Sequence, residues 1–191
     1  MLFRSDGKIM RVGNLAPRIS DGEFQINYGT NAAMGRLKSF VILGCASYDQ
    51  LDSTMEFSPI DEVARAILLL AQAPAGCTVF HPFNHHETYL ADVFYVMNNC
   101  GFEIKLVERE EFIRVLKAAE EDEAKAEVLT SMLAYARKPS GKPVVIPKAG
   151  NAYTMQVLYR LGFRWTPTSP GYVERFLDAL GGLGFFDEDE K

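Results

Sequence analysis

Apolar residues recur along this chain in short blocks of two different periods, separated by Gly, Pro, Asn and Asp. Lys8 to Val12 is rich in β-formers and runs into Gly13-Asn14, which reads as a short buried strand ending in a turn. Residues 16–30 mix Pro, Gly, Asp and Asn with aromatics and read as a long structured loop. Asn31 stands as the cap of a helix with Met34, Leu37, Phe40 and Val41 at helical spacing, closed by Gly44. In FSPIDEVARAILLLAQAP, Ser58 is placed as N-cap, Pro59 as the first helical residue, and Asp61-Glu62 in the first turn. Ile60, Val63, Ala64, Ile67, Leu68 and Leu70 then give a wide apolar face, and Pro74 stops the helix.

Cys77 to His81 reads as a second buried strand, followed by a loop from Pro82 to Glu87. Thr88 to Asn99 has Leu90, Val93, Phe94 and Met97 on one helical face and ends at Gly101. Glu103 to Val107 alternates as a strand. From Glu108 to about Arg137 the pattern is helical, with a charged middle that is either a solvated face or a break between two helices. Lys138 to Pro143 is a loop, Val144 to Ile146 a short apolar stretch, and Asn151 a candidate cap for a helix over Tyr153–Leu161. Ser169-Pro170 opens a last helix through Leu180, and the acidic end reads as frayed. Strands alternating with helices, then a helical C-terminal half, define an α/β chain with a smaller appended lobe.

Composition narrows the function. A 48% hydrophobic fraction over 191 residues supports a globular core, and a net charge of −5 without a basic cluster argues against nucleic acid as partner. Cys45, Cys77 and Cys100 are scattered, which suits buried thiols in a reducing, cytoplasmic compartment rather than a disulfide framework. The longest apolar run, Ala64 to Ala75, contains Arg65 and Gln72 and is too short for a membrane span, and MLFRSDGK is no signal peptide.

Candidate chemistry is sparse. The run His81-Pro-Phe-Asn84-His85-His86-Glu87 lacks the regular element that fixes metal ligands, so no metal site is expected there. It reads instead as a polar loop at a strand end, where α/β proteins bind ligands. No GxSxG, GxGxxG or GxxxxGK[ST] occurs, and Gly181-Gly182-Leu183-Gly184 follows a helix rather than preceding one. Cys100 at a helix end reads as core, not as a nucleophile. Gly13-Asn14 offers close backbone approach together with an amide donor and acceptor. Arg11, in an apolar strand, calls for a partner, and Asp61 or Glu62 would serve.

Four segments in order, KIMRVGNLAPRISDGEFQINYGTNAAMGRLKSF, MEFSPIDEVARAILLLA, TVFHPFNHHETYLADVFYVMNNCGFEI and NAYTMQVLYRLGFRWTPTSPGYVERFL, resemble the C-terminal part of thioester reductase domains of nonribosomal peptide synthetases. These belong to the extended short-chain dehydrogenase/reductase superfamily. The resemblance implies the distal portion of a Rossmann-like nucleotide-binding domain over 1–80 and a mostly helical, substrate- and carrier-facing lobe over 81–191. It also implies NADPH or NADH as cofactor of the complete domain, and release of a carrier-bound peptidyl or aminoacyl thioester as an aldehyde or alcohol. Gly13, Asn14 and Leu15 match the segment bordering the nicotinamide; Arg18, His81, Asn84 and His86 fall where substrate is lined. Family members often carry Gly-Arg where this chain has Pro17-Arg18. The family's Tyr-x-x-x-Lys pair has no match, since none of the eight tyrosines has a lysine four residues on. The expectation is a chain without catalytic residues of its own, inactive alone. Its expected partners are the upstream half of the reductase, a carrier domain with its phosphopantetheine thioester, and a second copy through the open sheet. A non-catalytic interaction domain, a nucleotide-sugar epimerase or dehydratase relative, and a metal-dependent hydrolase are the rival readings, in that order.

Overall fold

A computed structural model describes residues 7–24, 28–74, 76, 79–122, 125–126, 128–129, 132 and 150–187. Among the described residues, eight short strands are β1 (Ile9–Met10), β2 (Leu15–Ala16), β3 (Cys45–Ser47), β4 (Thr54–Glu56), β5 (Ser58–Pro59), β6 (Val79–Phe80), β7 (Glu87–Tyr89) and β8 (Lys105–Val107). The helices are α1 (Ala32–Leu43), α2 (Ile60–Ala71), α3 (Leu90–Asn99), α4 (Arg109–Glu120), α5 (Ala152–Arg160) and α6 (Pro170–Gly182). Three strand pairs are parallel, β1 with β6, β2 with β5 and β3 with β8; β4 and β7 are antiparallel. Parallel pairs joined through helices make this an α/β fold, a partial Rossmann-like sheet broken into small pieces.

Two helices begin as their caps dictate. The Asn31 side chain accepts from the Ala33 and Met34 amides, 3.0 Å each, and Gly44 closes α1 in the left-handed region at φ 59°. Ser169 caps α6 through the Tyr172 amide, with Pro170 at the first position. The larger core gathers α1, α3, α4 and α6 around Met34, Leu37, Phe40, Phe94, Phe112 and Phe176. A smaller one joins α2, β6 and α5 through Val63, Leu70, Phe80, Leu158 and Trp165.

Several sequence expectations are corrected. The first strand is two residues long and not buried; Ile9 is 53% exposed. Arg11 is exposed, and the two carboxylates offered as its partners are engaged elsewhere. Asp61 accepts the Ile19 amide at 3.1 Å, and Glu62 accepts both the amide and hydroxyl of Thr166. Ser58 does not cap α2: it lies in β5, and Pro59 takes the cap position. Ala64 and Leu68 face outward, Leu68 at 68% exposure. Thr88 belongs to β7, so the next helix starts at Leu90. Asn151 sits at the start of α5, but its amide donates to the Phe83 carbonyl instead of capping. In the charged middle, α4 ends at Glu120, and Glu121 and Asp122 lie beyond it. Cys77, the loop 138–143 and the stretch 144–146 lie outside the described residues, and Cys100 is only half-buried.

Candidate functional site

The site is built on an alternation. In Thr54-Met55-Glu56-Phe57-Ser58, Met55 and Phe57 are buried in the larger core, so Glu56 and Ser58 share the opposite side. There the Ser58 hydroxyl donates to Glu56 Oε1. The Asn84 amide N–H donates to Ser58 Oγ at 2.8 Å. Asn84 is fully buried, and its side chain spends both ends locally. Nδ2 donates to the Thr166 carbonyl at 3.0 Å, and Oδ1 accepts the His86 amide at 3.0 Å.

The Gly13-Asn14 turn meets this group from the end of β1. Because β1 and β6 are parallel, the turn and the loop from His81 leave the pair at the same end, where ligands of α/β sheets sit. The Asn14 amide donates to Glu56 Oε2 at 3.3 Å, and the Asn14 carbonyl accepts the Ser58 amide at 3.0 Å. Leu15 passes its carbonyl to Asn31 Nδ2 at 3.0 Å, so the helix cap also anchors the turn. A Cβ on Gly13 would lie 2.1 and 2.6 Å from the Glu56 oxygens and 2.6 Å from Phe83 Cβ. Only glycine allows that approach.

Of the residues singled out from sequence, Gly13, Asn14, Asn84 and His86 come together here. Leu15 lies one residue beyond, and His81 is tied by its amide to Thr154 Oγ1 at 2.8 Å. Arg18 is not at this site. It is held within its own turn, by Asp21 Oδ1 at 2.9 Å and by Glu23. Glu56 and Ser58 were not read as site residues. The period-2 alternation of the TMEFS segment was the signal that would have placed them on one side.

Electrostatics set Glu56 apart. Burial holds its carboxyl above the ordinary glutamate range, against the lowering effect of its bonds to Ser58 and Asn14; Glu87, its register partner across β4–β7, adds to the rise. Burial and the neighbouring His86 ring, 4.0 Å away, lower His85. Tyr172 is buried, its hydroxyl donating to the Pro17 carbonyl at 2.7 Å. Burial pushes its phenol far up, so it is no acid–base group at neutral pH.

Asn14 is exposed at the tight glycine turn, with Phe83 close beside Gly13. The chain carries no glycine-rich phosphate loop. Among the described residues no group of three His, Cys, Asp or Glu could hold a metal ion, and no helix is long and apolar enough to cross a membrane.

No family model matches the chain, and no curated protein does. Solved structures do. A thiolation-reductase di-domain from an archaeal non-ribosomal peptide synthetase is 30% identical over 94% of this chain and 37% of its own, with a TM-score of 0.80. The terminal reductase domain of the myxalamid PKS-NRPS pathway is 18% identical over 96% and 45%, at 0.72. A reductase domain of a nonribosomal peptide synthetase from Mycobacterium tuberculosis is 16% identical over 93% and 46%, at 0.67. These last two establish fold alone. The chain therefore spans less than half the length of the structures it matches. Over nearly all of its own length it has the fold of a synthetase reductase domain, and it fits the C-terminal part of a thioester reductase.

Proposed function

We propose that this chain forms the C-terminal part of a cytoplasmic, NAD(P)H-dependent thioester reductase acting in nonribosomal peptide synthesis. The observation that carries the reading is the 30% identity to the archaeal thiolation-reductase structure, held over 94% of the chain. In this reading a carrier-bound peptidyl or aminoacyl thioester is reduced to an aldehyde and a free carrier thiol, and a second reduction gives the alcohol. The nucleotide supplies the hydride when bound. Gly13, Asn14 and Leu15 border its nicotinamide. The division near residue 80, into a distal nucleotide-binding part and a lobe that lines substrate through His81, Asn84 and His86, belongs to the same reading. Arg18, held in its acidic turn, would reach substrate only by leaving Asp21 and Glu23.

The glycine-rich loop and the Tyr-Lys pair are not in this sequence, so turnover needs an upstream portion of the reductase. The β1–β6 pair supports such a partner. A two-stranded parallel pair with Ile9 and Val79 exposed is half of a layer that is ordinarily covered on both faces. A second copy of the chain is the other occupant that face suits. Carrier-domain docking through the lobe follows from the reading of the whole domain.

The test is an isothermal titration of the chain with NADPH, with and without the upstream portion supplied in trans. Binding only when both are present is the expected result, and it leads to an assay of thioester reduction. Tight binding by this chain alone would place the nucleotide somewhere other than the site described. Binding in neither case would favour an interaction module that keeps the fold without the chemistry.

A further inference from the structure

Glu56 is an unusual residue to find behind a turn. It stands directly opposite Glu87 in the antiparallel β4–β7 register, and like charges in that position destabilise a strand pair. Thr54 Oγ1 donates to Glu87 Oε2 at 2.9 Å, which orients Glu87 without relieving Glu56. Each Glu56 oxygen takes one protein hydrogen, from the Ser58 hydroxyl and from the Asn14 amide. The missing side chain at Gly13 leaves the space in which those oxygens lie. The glycine and the carboxyl are thus a matched pair. Behind them, Ser58 is fixed by the Asn84 amide, and Asn84 is fixed to Thr166, in the segment that joins α5 to α6. Four residues connect the Gly13-Asn14 turn to the C-terminal helices without a break.

We infer that Glu56 is the positioning residue of the site. Its carboxyl, aimed by Ser58 and Asn84, holds the Gly13-Asn14 turn in the orientation that meets the cofactor. The inference rests on the reading of that turn as the nicotinamide border. Glutamine preserves the arrangement, because its carbonyl accepts from Asn14 while its amide donates to Ser58 Oγ. Alanine removes both bonds, and aspartate is a methylene too short to make them together.

The experiment uses the full chain, first alone and then with the upstream portion of the reductase. In the isotopically labelled chain, E56A moves the Asn14 amide resonance, and E56Q returns most of the shift. With the upstream portion present, E56A weakens NADPH about ten-fold, the loss of one hydrogen bond, and E56Q recovers most of that affinity. If E56A does not fold, E56D takes its place with the same expected losses. An Asn14 resonance that stays put in E56A or E56D overturns the inference. So does E56Q weakened as much as E56A. A wild-type assembly that binds no NADPH overturns the function reading instead, and the resonance then decides the clamp by itself.

Discussion

The two packed regions of this molecule close differently. In the larger, aromatic rings pack on one another: Phe40 edge to face on Phe94 at 4.7 Å, Phe57 edge to face on Tyr172 at 6.2 Å, and Phe57 tilted on Phe176 at 5.4 Å. In the smaller, Val63, Ala66 and Leu70 of α2 pack on Phe80 and Trp165, while Leu68 of the same helix and Ile9 and Val79 of the β1–β6 pair face out. Among the described residues, the Trp165 indole N–H of the smaller region has no acceptor, and neither has the buried Gln50 amide N–H beside the larger. Well-buried residues therefore do not make a complete core. The larger region packs its rings against one another, whereas the strand pair beside the smaller one keeps Ile9 and Val79 exposed.

Four variants sharpen that contrast. Phe40→Ala opens a cavity in the larger region and is expected to cost about 3–5 kcal/mol in urea unfolding. A loss of less than half that would mean the stability lies elsewhere. Asn31→Ala removes the cap of α1 and its bond to the Leu15 carbonyl, costing about 1 kcal/mol by the same measurement. E56Q gives a smaller effect that depends on pH. Burial holds the Glu56 acid above its ordinary value of 4.5, so the stability of its neutral form is fully present below 4.5 and lost as pH rises through the folded value. Glutamine does not titrate. The thermal midpoint of E56Q should therefore match wild type in acid and rise relative to it as pH increases; a constant offset would contradict the assignment. Last, Ile9→Thr with Val79→Thr, on the open side, changes the stability of the chain by no more than about 0.5 kcal/mol. The same pair should abolish capture of the upstream reductase portion in a pull-down titration, and retained capture would show that this face is not the seam.

Helices were legible where local chemistry decides. Asn31 and Gly44 bracket α1, and Ser169-Pro170 starts α6, because a cap and its target lie within one turn. Ser58 looked like an equally good cap, but a distant residue, Asn84, claims its hydroxyl acceptor, and Glu56 takes its proton. Strands of two or three residues were hidden for a related reason. Cys45–Ser47 is too short to display alternation, and it exists because Lys105–Val107, far along the chain, pairs with it. At the site, the Gly13-Asn14 turn announced itself through its residue types. Glu56 did not, since a lone acid in an apolar stretch gains its meaning only when Gly13 is brought against it. The resemblance to reductase domains carried the fold further than periodicity did.

The Tyr172 hydroxyl reaches the Pro17 carbonyl across 155 residues of sequence, and Phe176 and Leu177 belong to the same core as Ala16 and Met34. During synthesis, then, the apolar face of α3 emerges from the ribosome long before α6, the helix packed against it, has been made. At ordinary elongation rates that interval is on the order of ten seconds. Throughout it the nascent chain presents Val93 and Met97 to whatever is nearby, which makes it a client for a holding chaperone and makes its yield sensitive to translation speed.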